Sequence, residues 1–251
     1  MTRRKFLALG ILALPTAVGA DTRYIEPTNV CVKELILKEG GGLRFAHFTD
    51  FHYKGDADYA AEVIATINAQ RPEFVCFSGD LVEQRIFAPA ALDFIRQIEA
   101  PVYGVPGNHD YSCGAKFADY ERAFAATGGE WLLDCSVFVP EHNVEVTSRT
   151  FAGQRSPNAA QEARRVLLIH YPIMADHLGD AAFDLILAGH SHGGQVRLPF
   201  IGAPVLPAGV GRYDLGYYET KAGPLYVNPG IGTLQIPVRF NCRPEITVVT
   251  M

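Results

Sequence analysis

Five times along the chain a short run of Val, Ile, Leu and Phe stops against a group of Asp, Asn or His, and this repeated juncture constrains the fold more than any other feature. The runs Leu43–Phe48, Phe74–Phe77, Val102–Val105, Val166–Ile169 and Leu185–Ala188 lead into Asp50-Phe51-His52, Gly79-Asp80, Gly107-Asn108-His109-Asp110, His170 and Gly189-His190-Ser191-His192. Runs this short and apolar read as buried strands, and two more follow at Leu225–Asn228 and Ile246–Val249. Helical apolar spacing fills the gaps at Ala57–Asn68, Pro89–Ile98 and Lys116–Ala126. In the first of these, Tyr59, Val63, Ile64 and Ile67 share a face. Strand alternating with helix predicts an α/β fold with a largely buried sheet, giving way to strands and turns in the Pro- and Gly-rich second half. Between Asp134 and Arg165, alternation at Val137–Val139 and Val144–Thr147 predicts an edge hairpin, with the polar stretch Gly153–Ala160 a surface loop.

Side chains at strand ends converge where active sites of sheet proteins are assembled. Asp50 and His52, two apart, point the same way if the strand continues, and so do His190 and His192; each pair then reaches one metal. Asp80 has two oxygens with which to bridge two cations, and Asn108 offers an amide oxygen. Taken singly, each group has a bland reading: a polar turn, a turn glycine, or in His170 a hydrogen-bonded core histidine. Five in order, each at a strand end, are not explained by independent accident. Oxygen and imidazole donors without thiolates fit an open catalytic site for Mn, Fe or Zn rather than a closed structural zinc site.

Cys31, Cys76, Cys113, Cys135 and Cys242 show no C-x-x-C spacing, and their odd number leaves at least one unpaired. Cys76, inside an apolar run, reads as a small core residue. Arg3, Arg4 and Lys5 precede an apolar run from Phe6 to Val18 that ends in Val18-Gly19-Ala20, the layout of a secretory signal resembling the twin-arginine type. The expected organisation is therefore an export signal at 1–20 and one catalytic domain at 21–251, in the periplasm or cell envelope. The alternative is an uncleaved anchor in the inner membrane, for which the run is short. Without residues 1–20 the chain keeps 19 basic against 27 acidic residues, a net charge of −8 that argues against a nucleic-acid partner.

Asp50-x-His52, Gly79-Asp80, Gly107-Asn108-His109-Asp110, His170 and Gly189-His190-Ser191-His192 together resemble the ordered motifs of calcineurin-like metallophosphoesterases. Gly189–Gln195, Asn228-Pro229-Gly230 and Arg239 to Ile246 are similar to a bacterial branch of exported or membrane-associated phosphodiesterases, which includes the enzyme that splits UDP-diacylglucosamine in lipid A synthesis. The resemblance implies a two-sheet α-β-β-α sandwich and two divalent ions, Mn first, with Fe and Zn as alternatives. Asp50, His52 and His192 would hold one ion, Asn108, His170 and His190 the other, with Asp80 between them. His109 would face the substrate phosphate, and Glu83 would orient His109, although Leu81-Val82-Glu83-Gln84 departs from the phosphatase pattern. Asp110 has equal claims as a turn cap and as a partner to the ligands, so it stays outside the catalytic set.

The implied activity is hydrolysis of a phosphodiester or phosphoanhydride by metal-activated water, on a small-molecule or lipid-linked phosphate, with peripheral membrane association as a further possibility. Substrate choice falls to Tyr53-Lys54, Tyr111–Lys116, the Gln195–Tyr213 loop and Arg239, which meets a second phosphate or makes a structural salt bridge. Phe200, Ile201, Val205 and Leu206 either line an apolar entrance or pack on the core. A noncatalytic metal-binding scaffold would have lost a motif residue, and a zinc protease of the His-Glu-x-x-His kind has no such motif here.

Overall fold

The computed structural model describes Gly19 and residues 21–150, 163–179 and 181–251. Apart from Gly19, the expected export signal lies outside the described residues, as does the polar stretch Gly153–Ala160.

Among the described residues the strands are β1 (Cys31–Ile36), β2 (Arg44–Phe48), β3 (Val75–Phe77), β4 (Val102–Gly104), β5 (Glu130–Trp131), β6 (Ser136–Val139), β7 (Val144–Ser148), β8 (Arg164–Leu168), β9 (Leu185–Ala188), β10 (Gly216–Thr220), β11 (Gly223–Val227) and β12 (Glu245–Thr250). They form two mixed six-stranded sheets, in the orders β1-β12-β2-β3-β4-β5 and β10-β11-β9-β8-β7-β6. All seven apolar runs are strands. The predicted hairpin is β6 and β7, antiparallel, but only β6 is an edge, since β7 pairs with β8 and is buried throughout.

Register decides where the polar groups emerge. In the parallel trio β2, β3 and β4, Phe48 lies opposite Phe77 and Phe77 opposite Gly104, so Asp50, Asp80 and Asn108 leave the sheet at one end. In the second sheet Leu168 lies opposite Leu187, which brings His170 and His190 out together.

The space between the sheets is filled by Phe45, Phe74, Cys76, Val146, Val166, Leu187 and Val249, with Phe45 and Phe74 stacked at 4.6 Å. Truncating one such buried Phe to Ala costs about 3–5 kcal/mol. Outside the first sheet lie α1 (Ala57–Ala69) and α2 (Ala88–Ile95). Asp56 caps α1 by accepting from Tyr59 N at 3.0 Å, and Ala60, Val63, Ile64 and Ile67 form its buried face. Tyr59 is half-buried at the margin, its hydroxyl donating to the Ile231 carbonyl at 2.5 Å. A short helix α3 (Asn108–Ser112) follows β4, and α4 (Phe117–Ala126) completes the helical layer. The outer face of the second sheet is covered differently: the short 3-10 segment Pro172–His177 supplies Ala175, and Tyr213 comes from a loop. No helix among the described residues is long and apolar enough to cross a membrane.

Candidate metal centre

The strand pleat does not carry the ligands, because β2 stops at Phe48 and β9 at Ala188. Asp50 (φ 50°), His52 (φ 44°), Asp80 (φ 60°), His190 (φ 66°) and His192 (φ 50°) all adopt left-handed backbone. That conformation costs an L-residue about 1–2 kcal/mol. Bonds between the loops hold it: Asp50 N donates to Gly79 O (2.9 Å), His52 N to Asp80 O (3.1 Å), and Gly232 N to Asp50 O (2.8 Å). His190 and His192 consequently do not share one ion's position. His192 Nε2 lies 3.4 Å from Asp50 Oδ1, whereas His190 Nδ1 lies 3.2 Å from His170 Nε2.

Three overlapping groups result: Asp50 with His52 and His192, Asp80 with His170 and His190, and, between these two, His52 with Asp80 and His109. Asp80 joins them: its Oδ2 stands 3.5 Å from His52 Nε2 and 3.3 Å from His170 Nε2. Asn108 Oδ1 is 3.1 Å from His170 Nε2. The rings are held from behind. His170 Nδ1 donates to the Ser78 carbonyl (2.8 Å) and His190 Nε2 to that of Ala208 (2.7 Å), which turns the other nitrogen of each ring toward its neighbour. Asp50 Oδ2 accepts from Thr49 Oγ1 (2.8 Å) and His190 N (2.9 Å), while Oδ1, buried with no hydrogen-bond partner, faces His52 and His192. His52 Nε2 and His192 Nδ1 are likewise buried without one.

The charges tell the same story. Burial alone would push His52 and His170 down, yet both sit near 9: contacts with Asp50 and Glu83 and the Asp80 charge outweigh it at His52, and the Asp80 and Asp50 charges do so at His170. Asp80 is held at about 2 despite burial, chiefly by the His170 charge, and Asp50 lies well below the carboxylate range, also despite burial, among the imidazoles of His192, His52 and His170, of which His52 and His170 carry the charge. Protons thus stand between buried carboxylates and imidazoles where divalent cations fit the donor set. Desolvation keeps His192 low at about 3 and also lowers His190, so these two are neutral donors.

Close approach explains the motif glycines. Gly79 has φ +103°, and a Cβ there would meet His170 Nδ1 at 2.9 Å. A Cβ on Gly107 would collide with the Asp80 carboxylate. Asp110, fully buried, proves to be the tie between these loops. Its carboxylate accepts from Asp80 N (2.8 Å), Leu81 N (3.1 Å), Gly107 N (2.9 Å) and Tyr120 Oη (3.1 Å). Its position two residues after Asn108 was visible in the sequence, but the partners on the Asp80 loop were not.

His109 is half-buried at the margin of the centre; its backbone N donates to Asp80 Oδ1 (2.7 Å) and its ring lies edge-on to His52 at 4.9 Å. Burial lowers its pKa. Glu83 does not orient His109 as expected. The longer side chain reaches His52 Nδ1 (3.4 Å) and Lys54 Nζ (3.2 Å) instead. Arg239 also departs from expectation, being buried away from solvent and bonded to backbone carbonyls rather than to a carboxylate. It is 0 % exposed, with its guanidinium donating to the carbonyls of Cys242, Pro229, Gly230 and Gly232, so it is a clamp on the chain beneath the Asp50 loop. Tyr53 is buried against Phe87 and Phe94, and it also lines one of the clefts that border the centre. All five cysteines are free. Two clefts border the centre. One of about 390 Å³ is lined by Asn108, Tyr111, Ser112, His170 and Tyr171, and one of about 260 Å³ runs from His52 and Lys54 to Tyr24.

With this centre in view, comparison with known proteins gives the class. The calcineurin-like phosphoesterase family model matches residues 43–194, more than half of the chain, and the chain belongs to that family of metal-dependent hydrolases acting on phosphate esters. Among individual proteins it is similar to the metallophosphoesterase YkuE of Bacillus subtilis, 31 % identical over 100 % of this chain and 98 % of that one. Phosphodiesterase YaeI of Escherichia coli is 28 % identical over 100 % and 99 % of the two chains. The UDP-2,3-diacylglucosamine pyrophosphatase LpxG of Chlamydia trachomatis is 24 % identical over 95 % and 94 %.

Proposed function

We propose that the chain hydrolyses a phosphodiester or phosphoanhydride using two divalent cations, Mn in preference to Fe or Zn. The observation that carries this is Asp80, one carboxylate oxygen of which faces a ligand of each group at 3.5 and 3.3 Å. Asp50, His52 and His192 would hold one ion and Asn108, His170 and His190 the other. When bound, the pair supplies Lewis acidity, activating water and screening phosphoryl charge. The protein's own part is orientation: Ser78 and Ala208 fix the imidazoles, and Asp110 fixes the loops that carry Asp80 and Asn108. His109, at the open margin, donates its N–H to a phosphoryl oxygen or gives its proton to the departing oxygen.

Export through the twin-arginine route accompanies this reading, supported by the residues at 1–20. A second reading, a pyrophosphatase acting on a lipid-linked nucleotide at the membrane, is favoured by the exposure of Phe200, Ile201 and Val205 and by the similarity to LpxG. Detergent dependence separates the two.

The test is hydrolysis of bis(p-nitrophenyl) phosphate and UDP-diacylglucosamine by stripped protein resupplied with Mn, Fe or Zn. Asp80→Asn should lose about 10³-fold or more, and His109→Ala about 10²–10⁴-fold, with the larger loss on the poorer leaving group. Folded, metal-loaded protein that cleaves neither substrate would sink the proposal.

A further inference from the structure

Seven of the fourteen large apolar side chains exposed among the described residues come from three segments that hydrogen-bond to one another. Phe200 (109 % exposed) and Ile201 (74 %) ride a turn closed by Leu198 and Gly202, whose N–H groups each donate to the other's carbonyl at 2.9 Å. Val205 follows, 74 % exposed. The base of this turn is pinned to a later segment, Arg197 N donating to Phe240 O and Phe240 N to Gln195 O, both at 2.8 Å. Gln195 Nε2 also donates to the carbonyl of Ile236, itself an exposed side chain (3.2 Å). Arg239 N donates to Thr22 O at 3.0 Å, which brings in Tyr24 and Ile25, also exposed.

Thr22 lies four residues beyond the apolar run Phe6 to Val18. The apolar turn and the point where that run joins the body therefore lie at one end of the molecule. The cleft at this end is lined by Arg23, Tyr24 and Pro237 as well as by His52, so the same end gives onto the metal centre.

We propose that this end is a lipid-docking surface, with Phe200 and Ile201 entering the acyl boundary of a bilayer and Tyr24 at headgroup level beside Arg23, whose guanidinium stacks on its ring at 5.0 Å. A turn whose apolar tip stands fully in solvent suits a fluid lipid phase, which closes round any convex apolar group, better than a preformed protein partner. The chain's net negative charge makes apolar insertion, rather than attraction to anionic lipid, the driving interaction. Docking of this kind is independent of the hydrolytic chemistry, and it would hold the His52 side of the centre toward phosphates in the headgroup layer.

The experiment uses the full chain carrying Phe200→Trp, since the one native tryptophan, Trp131, is 4 % exposed and gives a constant background. Phosphatidylcholine vesicles, with and without brominated acyl chains, are added, and Phe138→Trp on β6 serves as control. Emission from Phe200→Trp should shift to the blue and be quenched about twofold or more by the bromines, while the control stays unchanged. If the protein sediments with vesicles but Phe200→Trp is no more quenched than the control, the apolar run alone binds lipid and the proposal fails. It fails equally if vesicles leave both signals unchanged, or if Phe200→Trp is already blue-shifted in a concentration-dependent way without lipid, which would mean that a second copy covers the tip.

Discussion

Asp50, His52, Asp80, His190 and His192 share a backbone state that L-residues avoid, and the loops that impose it are the same ones that bring these side chains together. Their identities were legible in the sequence because each follows an apolar run. Their geometry was not, since φ values near +50° cannot be read from residue type and the expected strand pleat ends two residues too early. Glu83 and Arg239 went astray for a related reason: where a long side chain ends depends on which carbonyls and imidazoles the fold leaves within reach. A close approach, by contrast, gives a sharp expectation. In Gly107→Ala the new methyl must displace the Asp80 carboxylate, so hydrolysis should fall by about 10²-fold or more while the fold persists. Activity and circular dichroism check this, and an active Gly107→Ala enzyme would show that Asp80 has more room than the structure allows.

At the scale of elements, the strands buried on both faces declared themselves by continuous apolar runs, whereas β1, β5 and β10 did not. β1 and β10 lie at sheet edges with four of six and two of five residues exposed and none buried, and β5 has only two residues, too few to make a pattern. β2 carries one polar residue in its buried run, His47, whose Nε2 lies 2.8 Å from Ser78 Oγ. Burial pushes this imidazole down to about 3. A histidine kept neutral in the fold takes up a proton on unfolding below about pH 6.5, so its contribution is intact above that pH and is lost as pH falls toward 3. The slope is at most about 1.4 kcal/mol per pH unit. Urea unfolding of wild type and His47→Gln between about pH 6.5 and 4 should give curves that converge as pH falls, and parallel curves would contradict the assignment.

For the whole molecule, two sheets built from distant parts of the chain meet at one end, and the ligands of the centre come from both. Beyond the metal-ligand motifs, little of this junction was visible in advance: Asp110 links loops thirty residues apart, and Arg239 clamps the chain under a third. Binding that needs both sheets in register should stabilise the fold by mass action. At about 100 times Kd, an ion adds about 2.7 kcal/mol, which for a chain of this size is roughly 5–10 °C in Tm. Calorimetry with Mn or Zn, against the same protein in chelator, should show that rise, and unchanged melting would mean that the clusters hold no ion.

The most direct test of the account is the number of ions bound per chain, measured by elemental analysis of stripped and reloaded protein alongside phosphodiester hydrolysis, for wild type and Asp80→Asn. The account predicts two ions in the wild type, activity that rises only as the second is loaded, and loss of both full occupancy and activity in Asp80→Asn. Full activity in protein that carries one ion or none would contradict it.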